Sequence, residues 1–154
     1  MTTDASGLYG NRAQALAAGD IAEGDWVIFP PAPISKEPLG PVYRQNDSQW
    51  ADIVDWTVFA TFIADEKGVD SGNVDAVIAE AELDPELGRL LGVGEDELQT
   101  GMGLPADAFY QVISQVGNYE EIYNRHIVPI GLVLAGSPND LWSNGGLMYV
   151  PPYR

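Results

Sequence analysis

Residues 29–41 read FPPAPISKEPLGP, with prolines at 30, 31, 33, 38 and 41. Proline fixes φ and donates no backbone hydrogen bond, so this tract can form neither a helix nor a central strand. It is too apolar to be a flexible linker of the Gly/Ser kind. The expectation is a stiff, extended crossing between two packed bodies, flanked by strand-forming residues at 26–29 (WVIF) and 39–43 (LGPVY). A rigid crossing suits a hinged protein of two lobes. The body after it is large and the body before it nearly absent, so the chain reads as the back end of something bigger.

Composition narrows the partners. Seven Lys and Arg against 23 Asp and Glu give a formal charge of −16 over 154 residues. Such a field repels nucleic acid and anionic lipid, and a solvated acidic surface is its simplest meaning. The 45% hydrophobic content is that of a folding chain rather than a disordered one. With no cysteine there is no disulfide, thiolate nucleophile or zinc knuckle. No apolar run is long enough to span a bilayer. The opening MTTDASGLYG has neither a basic start nor an apolar core, so no export signal is expected within it.

Local signals give about six helices and three short strands. Asp4 and Gly19 bracket a first helix as N-cap and C′ glycine, and Thr2 and Thr3 read as the end of a strand feeding it, an α/β unit. Residues 48–67, capped by Asn46, Asp47 or Ser48 and stopped by Gly68, are apolar nearly all round. They predict a helix buried on more than one face. Shorter helices are expected at 70–82 and 85–91, an acidic glycine-containing loop at 92–103, and a helix at 104–116. Asn118 with Glu121 makes a capping box for the next helix. Ser137 and Pro138 read as a cap and first turn, Gly145 and Gly146 as a turn, and 147–150 as a strand closed by Pro151 and Pro152.

Few residues carry a chemical signal. His126 lacks partners at metal-ligand spacing, and a surface histidine is the better reading. No GxSxG elbow surrounds Ser137. Asp70, Gly72 and Asp75 echo a calcium loop, but Asp75 stands where the loop needs glycine. The glycines at 92, 94, 101 and 103 lack the rest of a nucleotide fingerprint. The aromatics Trp50, Trp56, Phe59 and Phe62 read as core. Asp4 is the exception: a carboxylate where a strand turns into a helix can receive an ammonium, or it can simply cap.

The strings TTDASGLYGNRAQALAAGD, ISKEPLGPVYRQNDSQWADIVDWTVFA, GNYEEIYNR and LWSNGGLMYVPPYR stand in an order and spacing that resemble one family across the whole chain. It is the periplasmic solute-binding proteins of general polar amino-acid ABC transporters, which have the type 2 periplasmic-binding-protein fold. The resemblance implies an α/β, helix-rich C-terminal fragment with few short strands. Residues 1–29 would end the second, ligand-closing lobe, 30–41 would be the hinge crossing, and 42–154 would return to the first lobe with a C-terminal helical extension. Pro30, Pro31, Pro33, Ile34, Ser35, Lys36 and Pro38 would form the hinge, and Asp4 would grip the ligand's α-ammonium.

The implied partners are an L-amino acid, a membrane permease and the missing N-terminal half of the parent, in the periplasm, with no cofactor, metal or nucleic acid. That half would carry the export signal and the arginine that clamps the ligand carboxylate. The implied function is capture and delivery without catalysis. Two alternatives stand beside it: a dehydratase-type enzyme on the same fold with Asp4 as acid or base, and an orphan fragment that binds nothing.

Overall fold

In the computed structural model, residues 2–80, 84–93 and 98–154 are described. Helix α1 spans Ala5–Ala18; Asp4 accepts the Gly7 N–H at its start, and Gly19, at φ 76°, closes it with N–H bonds back to Ala15 and Leu16. Both ends follow from residue type alone: a short acceptor for an orphan N–H, and a residue without Cβ in the left-handed region. No α1 residue is buried. The helix rests instead against a 3₁₀ turn at Val128–Ile130, where the Tyr9 ring lies beside Gly131. Arg12 ties it forward by bonding the Trp26 carbonyl and pairing with Glu23.

Residues 22–27 and 29–50 are exposed almost without a break, and 26–47 hold no helix or strand. Here the expected strand at 26–29 is corrected, and the strand-forming residues at 39–43 form none either. A strand exists only as part of a ladder, and neither tract has a partner among the described residues. Thr2 and Thr3 are likewise outside any strand.

Helix α2, Ser48–Glu66, begins with Asp47 accepting the Trp50 N–H. Its all-round apolarity becomes burial only along Ala60–Ala64; Trp50 is half exposed, and Trp56 and Phe59 are half-buried. Gly68, at φ 68°, turns the chain away. Asp70 then accepts the N–H groups of Gly72 and Asn73, holding 70–73 as a turn. Helix α3 is therefore only Val74–Ile78, shorter than the expected 70–82, whose end at Glu82 lies outside the described residues.

Helix α4, Pro85–Leu91, has Asp84 as its cap. A further short helix, α5 at Leu98–Gly101, stands where a loop was expected; Gly94 lies outside the described residues. Helix α6 is Ala108–Val116, starting later than residue 104: Pro105 biases Leu104 out of helical conformation, a turn follows in which the Ala108 N–H reaches the Pro105 carbonyl, and Asp107 stands at the N-cap.

Helix α7, Tyr119–His126, carries the full capping box. Asn118 accepts the Glu121 N–H and Glu121 accepts the Asn118 N–H, both over 2.9 Å. The tail diverges from expectation at Ser137. Its hydroxyl accepts the Asn139 N–H, and Asp140 accepts the Gly136 N–H, giving a turn and then a 3₁₀ turn at Trp142–Asn144 in place of a helix. Of the strand at 147–150, only one bridge forms, Leu141 to Met148.

The core gathers where α2, α3, α4 and α6 meet. Ala60, Ile63, Ala64, Val69, Val74, Leu87, Leu90, Leu91, Phe109 and Ile113 pack together, and Tyr153 plugs the cluster from the C-terminus. Burying each large apolar side chain there is worth about 1.5–3 kcal/mol. Helix α7 adds a second contact with α2, stacking Tyr119 on Phe62 with ring centroids 4.1 Å apart.

Candidate functional site

The Asp4 carboxylate is held by three residues around it. Oδ1 accepts from the Ser6 hydroxyl and from the Gly7 N–H at 2.7 Å, and Oδ2 accepts from the Thr3 hydroxyl at 3.1 Å. These donors, Ser6 first, then Gly7 and Thr3, hold its pKa down at about 2, so it is ionised throughout the neutral range. Gly7 keeps the corner open. A Cβ there would stand 2.9 Å from Thr3 Cγ2 and 3.3 Å from Asp4 Oδ2. One oxygen is thus committed to the helix start, while the other carries one hydroxyl donor and keeps a second acceptor lone pair.

Among the described residues, the hydrogen bonds of the Asp4 carboxylate stay within residues 3–7. None joins it to the crossing. Pro30, Pro31, Pro33, Ile34, Ser35, Lys36 and Pro38 are all exposed, and the Phe29–Pro30 peptide is cis.

The other residues singled out by sequence have local roles. His126 is exposed and accepts from Arg125 Nε. Among the described residues, no group of three or more His, Asp or Glu is placed to hold a metal ion. Asp70 organises a turn. Gly92 is needed for a close approach, because a Cβ would stand 2.1 Å from the Ala106 carbonyl oxygen.

Two features were not read from the sequence. A cleft of about 470 Å³ opens between the end of α2 and the tail, lined by Glu66, Lys67, Glu86, Trp142 and Tyr149. Its lysine is committed to Asp84 and Glu86, at 3.0 and 3.1 Å, and Trp142 Nε1 donates to Glu66. The second is Asp65, beside Glu120 and Asp140 at the junction of α2 and α7. The one signal for it was the Asp65-Glu66 pair at a helix C-terminus, where the helix dipole disfavours negative charge.

No family model matches the chain. Curated proteins do. A glutamate/glutamine/aspartate/asparagine-binding protein of Rhodobacter capsulatus is 43% identical over 99% of this chain and 43% of its own length. A general L-amino acid-binding periplasmic protein of Rhizobium johnstonii is also 43% identical, over 99% of this chain and 43% of itself. A putative amino-acid ABC transporter-binding protein of Escherichia coli K12 is 40% identical over 100% of this chain and 43% of itself.

Among solved structures, an ABC transporter/periplasmic binding protein from Brucella ovis with glutathione bound superposes with a TM-score of 0.84 at 41% identity. That match covers 99% of this chain and 46% of the other. The chain spans less than half the length of each relative. Among the described residues the structure is helix-rich with one isolated bridge, in keeping with a fragment of such a fold. The resemblance read from the sequence therefore holds, and the chain matches, along essentially its whole length, a part of the periplasmic binding proteins of amino-acid ABC transporters.

Proposed function

We propose that this chain is part of the substrate-binding component of an amino-acid ABC transporter, which takes up an L-amino acid between two lobes and delivers it to a membrane permease. The observation that carries the reading is Asp4: a carboxylate fixed at the start of a helix, kept ionised, with one oxygen bonded only by the Thr3 hydroxyl. An α-ammonium is a suitable donor for that oxygen. The low pKa of Asp4 favours binding over proton transfer, since a base this weak takes few protons near neutral pH. We therefore read the protein as a binder, as its relatives are named, and not as an enzyme. The periplasm follows as its compartment by the same resemblance.

The domain division belongs to this proposal. Residues 1–29 end the ligand-closing lobe, 30–41 form the hinge, and 42–154 return to the first lobe with its extension. In support, α1 adds no residue to the buried core, and the crossing has no regular structure. The carboxylate-clamping arginine would lie in the part of the relatives that this chain does not match, so the chain alone holds half of a two-point grip.

The test is calorimetric titration of a longer parent carrying this stretch with a panel of L-amino acids. Asp4→Ala is expected to abolish binding, because the ligand's ammonium loses its charged partner. Lost capping alone lowers stability and leaves affinity unchanged. Unchanged affinity with a lowered melting point would return Asp4 to the role of a cap.

A further inference from the structure

Asp65 sits where three elements meet. It lies in the last turn of α2, its Oδ2 accepts the Glu120 N–H at the start of α7 over 3.1 Å, and Asp140 of the tail lies near enough to repel it. The titratable groups acting on it are Glu120 and the Tyr119 phenol from α7, with Tyr123 behind Tyr119, Asp140 from the tail, and Glu66 from its own helix. No Lys, Arg or His forms an ion pair with it among the described residues, and the adjacent Lys67 is committed to Asp84 and Glu86. The Phe62–Tyr119 stack bridges the same two helices. A half-buried carboxylate among other carboxylates with no cation is a costly arrangement unless it carries a proton.

The neighbours differ in how well they hold their charge. Asp140 accepts from Asn144, Gly136 and Leu141, which keeps its pKa low. Glu66 is raised by burial but relieved by the Trp142 indole. Asp65 is pushed up to about 6, first by burial and then by Glu120, Asp140 and Glu66, against the single relief of the Glu120 N–H. Tyr119, raised to about 12 by burial, stays neutral.

We propose that Asp65 is a proton-operated clasp that draws α2, α7 and the tail together when neutral and loosens them when ionised. In either state its carboxyl can accept the Glu120 N–H; the added proton removes the charge that Glu120, Asp140 and Glu66 repel. The folded chain holds this proton to a higher pH than the unfolded chain does. The stability that the clasp gives is therefore present at low pH, falls as pH rises from about 4 to about 6, and stays lost above that. The inference stands independently of the transport reading.

The test compares thermal unfolding of the 154-residue chain with that of Asp65→Asn from pH 4.5 to 7.5. The amide keeps an acceptor for Glu120 without the charge. The variant is expected to melt a few degrees above the wild type at pH 7.5 and to lose that advantage by pH 4.5. A difference that stays constant across the range would overturn the proposal. Should the variant fold poorly, the Asp65 carboxyl carbon of the wild type, followed by NMR, gives the second reading. An inflection near pH 6 supports the clasp, and one near pH 4 overturns it.

Discussion

The hydroxyl of Tyr153 donates to Oε1 of Gln99 over 2.7 Å, and both side chains are shut off from solvent. The Gln99 amide nitrogen spends its protons on the carbonyls of Arg89, Leu90 and Ala106. Tyr153 is held by its backbone as well: its N–H reaches Glu86 at 2.7 Å, and its carbonyl accepts from Arg89 Nε. Its ring meets the edges of Trp56 and Phe109, with centroids 5.0 and 5.7 Å away. The C-terminus is thereby stapled to α5 through Gln99 and to α4 through Glu86 and Arg89.

Tyr153→Phe keeps the ring and strands the Gln99 oxygen, which should cost about 1–3 kcal/mol. Tyr153→Ala also empties the plug and should cost about 3–5 kcal/mol. Denaturant unfolding reads both. If Tyr153→Phe were neutral, the hydroxyl would be finding water in solution and the tail would not be docked.

A second prediction turns on glycine. Gly146→Ala would place a Cβ 1.9 Å from the Asp140 carbonyl oxygen, so backbone must move, at a cost of about 1–3 kcal/mol. Gly10→Ala is the control: nothing lies within 4 Å of its Cβ position, and it sits inside α1. It should stabilise the chain by about 0.4–1 kcal/mol. Melting curves of the two variants must move in opposite directions.

A third concerns the α7 cap. Asn118 is buried, accepts the Glu121 N–H, and donates to the Val69 carbonyl at 2.9 Å. Asn118→Ala should cost about 1–2 kcal/mol for the cap, with the stranded Val69 oxygen on top. Asn118→Asp keeps the acceptor but sets a carboxylate against that carbonyl, so it should rescue less at pH 7 than at pH 4. Equal melting shifts for Asp at both pH values would show that the Val69 contact contributes little.

The last prediction concerns the bare tract. Phe29, Ile34 and Val42 are 83%, 87% and 97% exposed, and they are neighboured by other exposed apolar side chains along 26–43. Apolar surface left in water costs about 25 cal/mol per Å² relative to burial. The 154-residue chain is expected to bind a hydrophobic dye or to self-associate, and replacing Phe29 and Val42 by Ser should reduce both. Sedimentation of a monodisperse, dye-silent monomer would contradict this.

What the sequence determined by itself was local. Asp4 with Gly19, Asp47 with Gly68, and Asn118 with Glu121 each satisfy backbone groups within a few residues, so residue type and spacing were enough to set the helix ends. The run of prolines excluded regular structure from 29–41 for the same local reason. The family was legible too, because strings in order need no geometry. Tertiary structure decided the rest. The tracts at 26–29 and 39–43 have strand-forming side chains, yet a strand takes its hydrogen bonds from another strand, and no described residue supplies one. Gln99 meets Tyr153 across 54 positions, and Asp65 meets Glu120 across 55. Pairs so far apart have no period or motif to announce them, because the contact exists only after helices packed by apolar area have brought the polar groups within reach.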